Sequence, residues 1–174
     1  MSFIIVDVEA DGPIPGSFSI VSFGAVIVRD GLNDTFYGKV SPISKEWVPE
    51  ALAVSGHSRE EHLTFQSPEK VMREFSAWIL EKSRDRPVFV SDNLAFDWQW
   101  INYYMHRFCG KNPFGFSGRR IGDLYSGLMK DARKASDWKK FRKTKHTHNP
   151  VDDAKGNAEA LFHIRDLGLR IDLK

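Results

Sequence analysis

Three short stretches of the chain carry acids or an imidazole that the local backbone has no need of. The first is Asp7-Val8-Glu9, at the end of the apolar run Phe3–Val8. Alternate residues of a strand share a face, two steps of about 3.3 Å apart. Both carboxylates therefore leave one face together, where burial and like charge disfavour ionisation of the pair. A divalent cation removes that cost. The second is Asn93-Leu94-Ala95-Phe96-Asp97, directly after the apolar stretch Pro87–Ser91. In alternating α/β folds the C-terminal ends of strands converge on the ligand crevice, which brings Asp97 towards Asp7. The third is His148-Asn149-Pro150-Val151-Asp152-Asp153. It sets an imidazole on a loop and a carboxylate in the first turns of a helix, a mobile base beside a rigid ligand. Asp152, near the third helical position, reads as helix-capping or solvent-facing. Each stretch alone reads better as solvated acids, an acid in a first helical turn or a surface imidazole, so the case rests on all three together.

Oxygen donors with one imidazole nearby favour Mg²⁺ or Mn²⁺ over zinc. Cys109 is the lone cysteine, and His57, His62, His106 and His163 lack zinc-site spacing. No glycine-rich phosphate loop and no nucleophile elbow appears.

The elements that must position these groups follow from periodicity and turn residues. Residues 3–8 and Ser19–Val28 read as buried strands. Asp30-Gly31 gives a two-residue hairpin signal, and Asn33–Val40 returns as a third strand. Residues 42–63 have no clean period and read as irregular with short helical pieces. Ser67-Pro68 opens a helix, with Ser as cap and Pro at the first position. Its apolar face is Val71, Phe75, Trp78 and Ile79. Pro87–Ser91 is a fourth strand, Phe96–Phe108 a helix stopped by Gly110, and Arg119–Gly122 a fifth strand before a short helix at Asp123–Met129. Asn149-Pro150 opens the last helix, with Ala154, Ala158, Leu161 and Phe162 on its inner face and Gly168 at its end. A meander followed by alternating strands and helices implies an α/β fold: a mixed five-stranded sheet with helices on both faces.

The 174 residues, 41% hydrophobic and 13% aromatic, fit one domain spanning 1–174 and exclude a disordered chain. The longest apolar run, Phe23–Val28, is six residues, against about 20 needed to span a bilayer, so no membrane span and no secretory signal is expected. The single cysteine makes a reducing, cytoplasmic setting the default. The net charge of +2 is unevenly spread. Residues 130–146 hold eight Lys or Arg and two Asp, a local +6, and the remainder is −4. That asymmetry suggests a phosphate-bearing partner, with a solvated surface loop as the bland alternative. The stretch 138–147 looks polar and without an apolar face, so it is expected to order only with substrate.

Taken together, D-x-E, N-x-x-F-D and H-x-x-x-x-D in this order resemble the DEDDh family of 3′–5′ exonucleases, which has a ribonuclease H-like fold. The resemblance runs from about Phe3 to Leu167. It implies that Asp7, Glu9, Asp97 and Asp153 hold two Mg²⁺ or Mn²⁺ ions and that His148 is the general base. It also implies supporting roles for Asn93 and Phe96. Two departures touch substrate binding: Ala10 stands where the family often has Thr, and Ser55-Gly56-His57 has His where Ile is common. Phe18, after a turn-rich loop, is the leading candidate for stacking on a base. Trp98, Trp100 and Trp138 are others, with Trp100 better read as core. The implied activity is two-metal hydrolysis of single-stranded nucleic acid, RNA favoured over DNA, to nucleoside 5′-monophosphates. Several relatives are homodimers, so a homodimer is plausible. The alternative is a catalytically inactive nucleic-acid-binding module of the same fold.

Overall fold

The middle of the sheet is built by the first strand in the chain. The computed structural model describes residues 1–173. β1 (Ser2–Ala10) lies between β2 (Ile20–Ile27), antiparallel to it, and β4 (Pro87–Ser91), parallel to it. β3 (Thr35–Lys39) extends the antiparallel side and β5 (Gly118–Arg120) the parallel side, giving the order β3-β2-β1-β4-β5. The helices are α1 (Pro49–Val54), α2 (Arg59–Leu63), α3 (Pro68–Lys82), α4 (Leu94–Cys109), α5 (Ile121–Met129) and α6 (Pro150–Asp166). Two 3-10 turns, Ala132–Lys134 and Asp137–Phe141, join α5 to the loop before α6. No helix among the described residues is long and apolar enough to cross a membrane.

Strand alternation divides the interior in two. Ile4, Val6 and Val8 face α3 and α4, packing with Phe75, Ile79, Trp100 and Tyr104. Phe3 and Ile5 face the other way, towards Tyr125, Ala158, Leu161 and Ile164 of α5 and α6. Asp7 and Glu9 continue the Phe3–Ile5 side by the two-residue period. Each large apolar side chain fully buried here contributes about 1.5–3 kcal/mol, so both layers are firmly seated.

The seat of α6 is specific. A Cβ added to Gly24 of β2 would stand 2.3 Å from the Pro150 backbone, so only glycine lets the helix start lie directly on the sheet. Gly24 is the cross-strand partner of Asp7. The first turn of α6 is thereby set down beside the Asp7 carboxylate. Ala154 and Ala158, both buried, keep that approach close along the helix.

Three expectations need correction. The hairpin after β2 has no two-residue loop: residues 28–34 connect the strands, with Leu32 N–H bonded to Arg29 O at 3.1 Å and Arg29 paired with Asp34. The Asp30-Gly31 turn is present but sits at the tip of this longer connection. Residues 138–147 are also not without an apolar face. Trp138 is fully buried in the α6-side core, and Phe141 stacks on His163 with ring centroids 4.0 Å apart. Trp138 is therefore core rather than a base-stacking platform. A lone aromatic in a basic run signals a nucleic-acid face only if the fold has no hollow for it, and here the α5–α6 layer does. Finally, of the two readings of Asp152, capping fails: Asn149 Oδ1 caps α6, accepting from Val151 N at 3.0 Å and Asp152 N at 3.4 Å, and Asp152 is left partly exposed in the first turn.

Candidate active site

β1 runs on past the last residue that β4 pairs with, since the parallel register ends at Ile5–Val90. The unpaired Val8 N–H is taken by the Asp97 carboxylate, Oδ1 at 3.1 Å. Asp97 lies in the first turn of α4, whose Asn93 carbonyl accepts the Asp97 N–H at 3.0 Å. From the other layer, Asp153 is buried on α6 and accepts from Thr147 N and His148 N, both at 3.0 Å. These two bonds hold His148 in a left-handed conformation, φ +60°. Such strain in a non-glycine residue persists only where the surroundings impose it. The His148 ring is half exposed, with Nδ1 3.5 Å from Glu9 Oε1. Carboxylate oxygens of Asp7, Glu9 and Asp153 lie within 4.8 Å of one another.

The electrostatics of this cluster are unbalanced. Burial holds Asp7 well above the usual carboxylate range, and the charges of Asp97, Glu9 and Asp153 push it the same way, against Arg142. Burial raises Glu9, opposed by His148. Burial pushes Asp97 up to about 8. Oxygen donors that converge from β1 and α6, with the buried Asp97 of α4 acting on Asp7 from beside them, fit a hard divalent cation.

Beside Glu9 lies an apolar hollow of about 320 Å³. Ala10 and Phe96 line it, as do Gly12 and Pro13 of the loop after β1. The far wall is Val48, Ala51 and Val54, at the start and along one side of α1. The sequence reading passed over these three. Their signal was Pro49 as a helix opener with apolar residues spaced three apart around it.

The remaining expected substrate contacts sit elsewhere. Phe18 packs on Gly12 and the α4-side core, outside the lining of the hollow. His57 turns to Glu61, at 3.7 Å, and edge-on to Phe65. Gly56, φ +73°, follows the end of α1 without lining the hollow. Asn93 is exposed and contributes its carbonyl to the start of α4. Trp98 meets Phe89 edge-on, and Trp100 is fully buried, as expected of a core residue.

Some of the basic segment reaches the rim. Lys139 Nζ and Arg142 Nη2 lie 2.7 and 3.1 Å from Asp92 Oδ2, at the end of β4. Arg133 is tied locally to Asp131 at 3.1 Å. The Lys143 and Thr144 amides are held by Glu159 of α6, at 2.8 and 2.7 Å. The loop is thus anchored to α6 at both ends, by Glu159 and by Asp153.

Known proteins resemble the chain in sequence and in fold. Residues 2–164 match the model of the "3′-5′ exoribonuclease Rv2179c-like domain". The "3′-5′ DNA exonuclease Cap18" of Escherichia coli is 37% identical over 172 residues, covering 94% of this chain and 91% of that protein. Among solved structures, the nuclease domain of 3′hExo, a DEDDh family member bound to rAMP, superposes with a TM-score of 0.76 at 18% identity, covering 98% and 96% of the two chains. The ExoI–ssDNA complex of E. coli gives 0.75 at 13% identity, covering 97% of this chain and 41% of that one. These two likenesses establish the ribonuclease H-like fold. The family match over nearly the whole length establishes more: the chain belongs to the Rv2179c-like 3′–5′ exoribonuclease domain family and is a 3′–5′ exonuclease.

Proposed function

We propose that the chain removes nucleotides from single-stranded 3′ ends with little discrimination between RNA and DNA, using two divalent cations and His148 as general base. The observation that carries this reading is the meeting of Asp7, Glu9 and Asp153 within 4.8 Å, with the His148 ring 3.5 Å from Glu9. Asp7, Glu9, Asp97 and Asp153 would hold Mg²⁺ or Mn²⁺. When bound, such ions neutralise charge building on the phosphodiester and ease deprotonation of the attacking water. The chain's own groups do the rest. Glu9 Oε1, 3.5 Å from His148 Nδ1, would orient the ring with its Nδ1–H towards the carboxylate, which leaves Nε2 free to receive the proton from water. The water oxygen forms a bond to phosphorus as the bond to the preceding 3′-oxygen breaks, and a nucleoside 5′-monophosphate leaves.

The hollow beside Glu9 suits one base, lying against Phe96 and entered only by an unpaired end. Its lining is apolar apart from Glu9. Telling RNA from DNA by contact needs a polar group turned to the 2′-hydroxyl; the one polar side chain of the lining, Glu9, is assigned to the cations, and no hydroxyl or amide side chain stands beside it. This supports tolerance of both sugars in place of the RNA preference implied by the resemblance. The family description names RNA and the E. coli relative DNA.

The test is hydrolysis of end-labelled single-stranded RNA and DNA of one sequence, with Mg²⁺, Mn²⁺ or chelator. Stepwise shortening from the 3′ end is expected, dependent on cation, with kcat/KM for the two sugars within tenfold. A preference above a hundredfold overturns the sugar reading. No release with either ion would leave a binding module. Sedimentation at 19.9 kDa or twice that mass decides the homodimer implied by the resemblance.

A further inference from the structure

His146 and His148 flank the loop residue Thr147; the His146 ring turns to the Asp153 carboxylate, and a ring nitrogen of His148 lies within reach of it. His146 Nδ1 lies 2.9 Å from Asp153 Oδ2. The two rings meet edge-on, with centroids 4.5 Å apart. One ring nitrogen from each, with an Asp153 oxygen, falls within 4.8 Å. We propose that His146, His148 and Asp153 form a binding site for a transition ion of the zinc class, and that its occupancy stops hydrolysis.

The donor set points to that ion class. Two imidazoles and one carboxylate suit Zn²⁺, whereas Mg²⁺ takes oxygen donors. Tetrahedral zinc, with bonds of about 2.0–2.1 Å, holds its ligand atoms roughly 3.3 Å apart. The three groups close to that spacing by turning two rings that are 49% and 50% exposed. The loop backbone stays in place, because Thr147 and His148 N–H groups are already bonded to Asp153.

Inhibition follows from sharing. Asp153 belongs to this set and to the oxygen set of Asp7 and Glu9. An ion bound by the histidines takes Asp153 from the oxygen set and fixes the ring that must receive a proton. The inhibitory half of the proposal rests on the function proposed above; the binding half does not. His146 is the discriminating residue, since it belongs to the histidine set alone.

The experiment uses the full chain, freed of metal, in three forms: unaltered, His146→Ala and Asp7→Asn. Zn²⁺ is titrated by calorimetry, and Co²⁺ is added as an optical reporter of tetrahedral nitrogen–oxygen ligation. The unaltered chain and Asp7→Asn are expected to bind one ion tightly and to show the cobalt band. His146→Ala is expected to bind at least tenfold more weakly and to lose the band. His146→Gln repeats the test with a side chain of similar reach. In oligonucleotide hydrolysis at fixed Mg²⁺, normalised to each form's zinc-free rate, half-inhibition should need at least tenfold more zinc in His146→Ala. Equal zinc binding by the unaltered chain and His146→Ala overturns the site, as does loss of binding in Asp7→Asn alone. If no form hydrolyses the oligonucleotide, the nuclease reading fails while the binding arm still decides the site.

Discussion

Asp7 and Asp11 lie four residues apart at the end of one strand and end in opposite circumstances. Asp11 is fully buried, yet each oxygen is met: Oδ1 by Ser19 N–H and Oδ2 by Arg59 Nη1 at 2.9 Å. His62, also fully buried, completes this group, with Nε2 3.1 Å from Ile20 O and burial pushing its ring down to about 4. Asp7 instead faces Asp97, Glu9 and Asp153, with the weaker effect of Arg142 against them. The chain supplies a counter-charge where the acid is scaffold and withholds it where the acid is site. The two are also linked. Arg59 ties α2 to Asp11, and Val48 N–H bonds Asp11 O at 2.7 Å, which lays α1 against the hollow beside Glu9. The satisfied cluster holds the wall that the unsatisfied one uses.

The sharpest break in this comparison comes from rates. Asp7→Asn should lower nucleotide release at least about a thousandfold, and His148→Ala by about 10²–10⁴. Thermal melting of Asp7→Asn should stay level or rise, because a repelling charge has gone. Near-normal single-turnover rates in either variant would remove the functional side of the contrast. On the other side, Arg59→Ala leaves the Asp11 carboxylate buried without its partner, at a cost of about 3–5 kcal/mol in urea unfolding. A loss under about 1 kcal/mol would mean that the pair is not scaffold.

A divalent cation should act on one cluster only. At a hundred times its dissociation constant, Mg²⁺ or Mn²⁺ should stabilise the protein by about 2.7 kcal/mol, and Asp7→Asn should lose most of that gain. The smallest effect is in pH. Burial raises Asp97 to about 8 in the folded chain and lifts Asp7 and Glu9 too. Their folded values lie above the unfolded ones, so their contribution is lost as pH rises towards 8. His62 works in the opposite sense, its contribution present above about 6.5 and lost as pH falls through about 4. Between about pH 6.5 and 8 the acids act alone, and the metal-free chain should melt at lower temperature as pH rises. Added Mg²⁺ should flatten that slope; a slope unchanged by the ion would detach it from the acidic cluster.

Much of the site's framework is local and was legible. The D-x-E pair shares a face because a strand repeats every two residues. The start of α3 at Ser67-Pro68 and of α6 at Asn149-Pro150 was readable from capping chemistry. The hollow's wall was not, because α1 is six residues long and too short to show a period. The Asp11–Arg59–His62 group was also out of reach: each residue is unremarkable alone, and 48 positions separate Asp11 from Arg59.

The basic segment shows the boundary most clearly. Its charge is plain in the residues of 130–146. Where that charge goes depends on Asp92, 50 positions from Arg142, and on a core with room for Trp138. The sequence by itself determined which residues share a face in the long strands and helices, and where α3 and α6 begin, because periodicity and capping act over a few residues. Tertiary structure alone decided that Trp138 is core, which acids are neutralised and which are left to a metal. Burial and counter-charge are set by neighbours that only folding brings together.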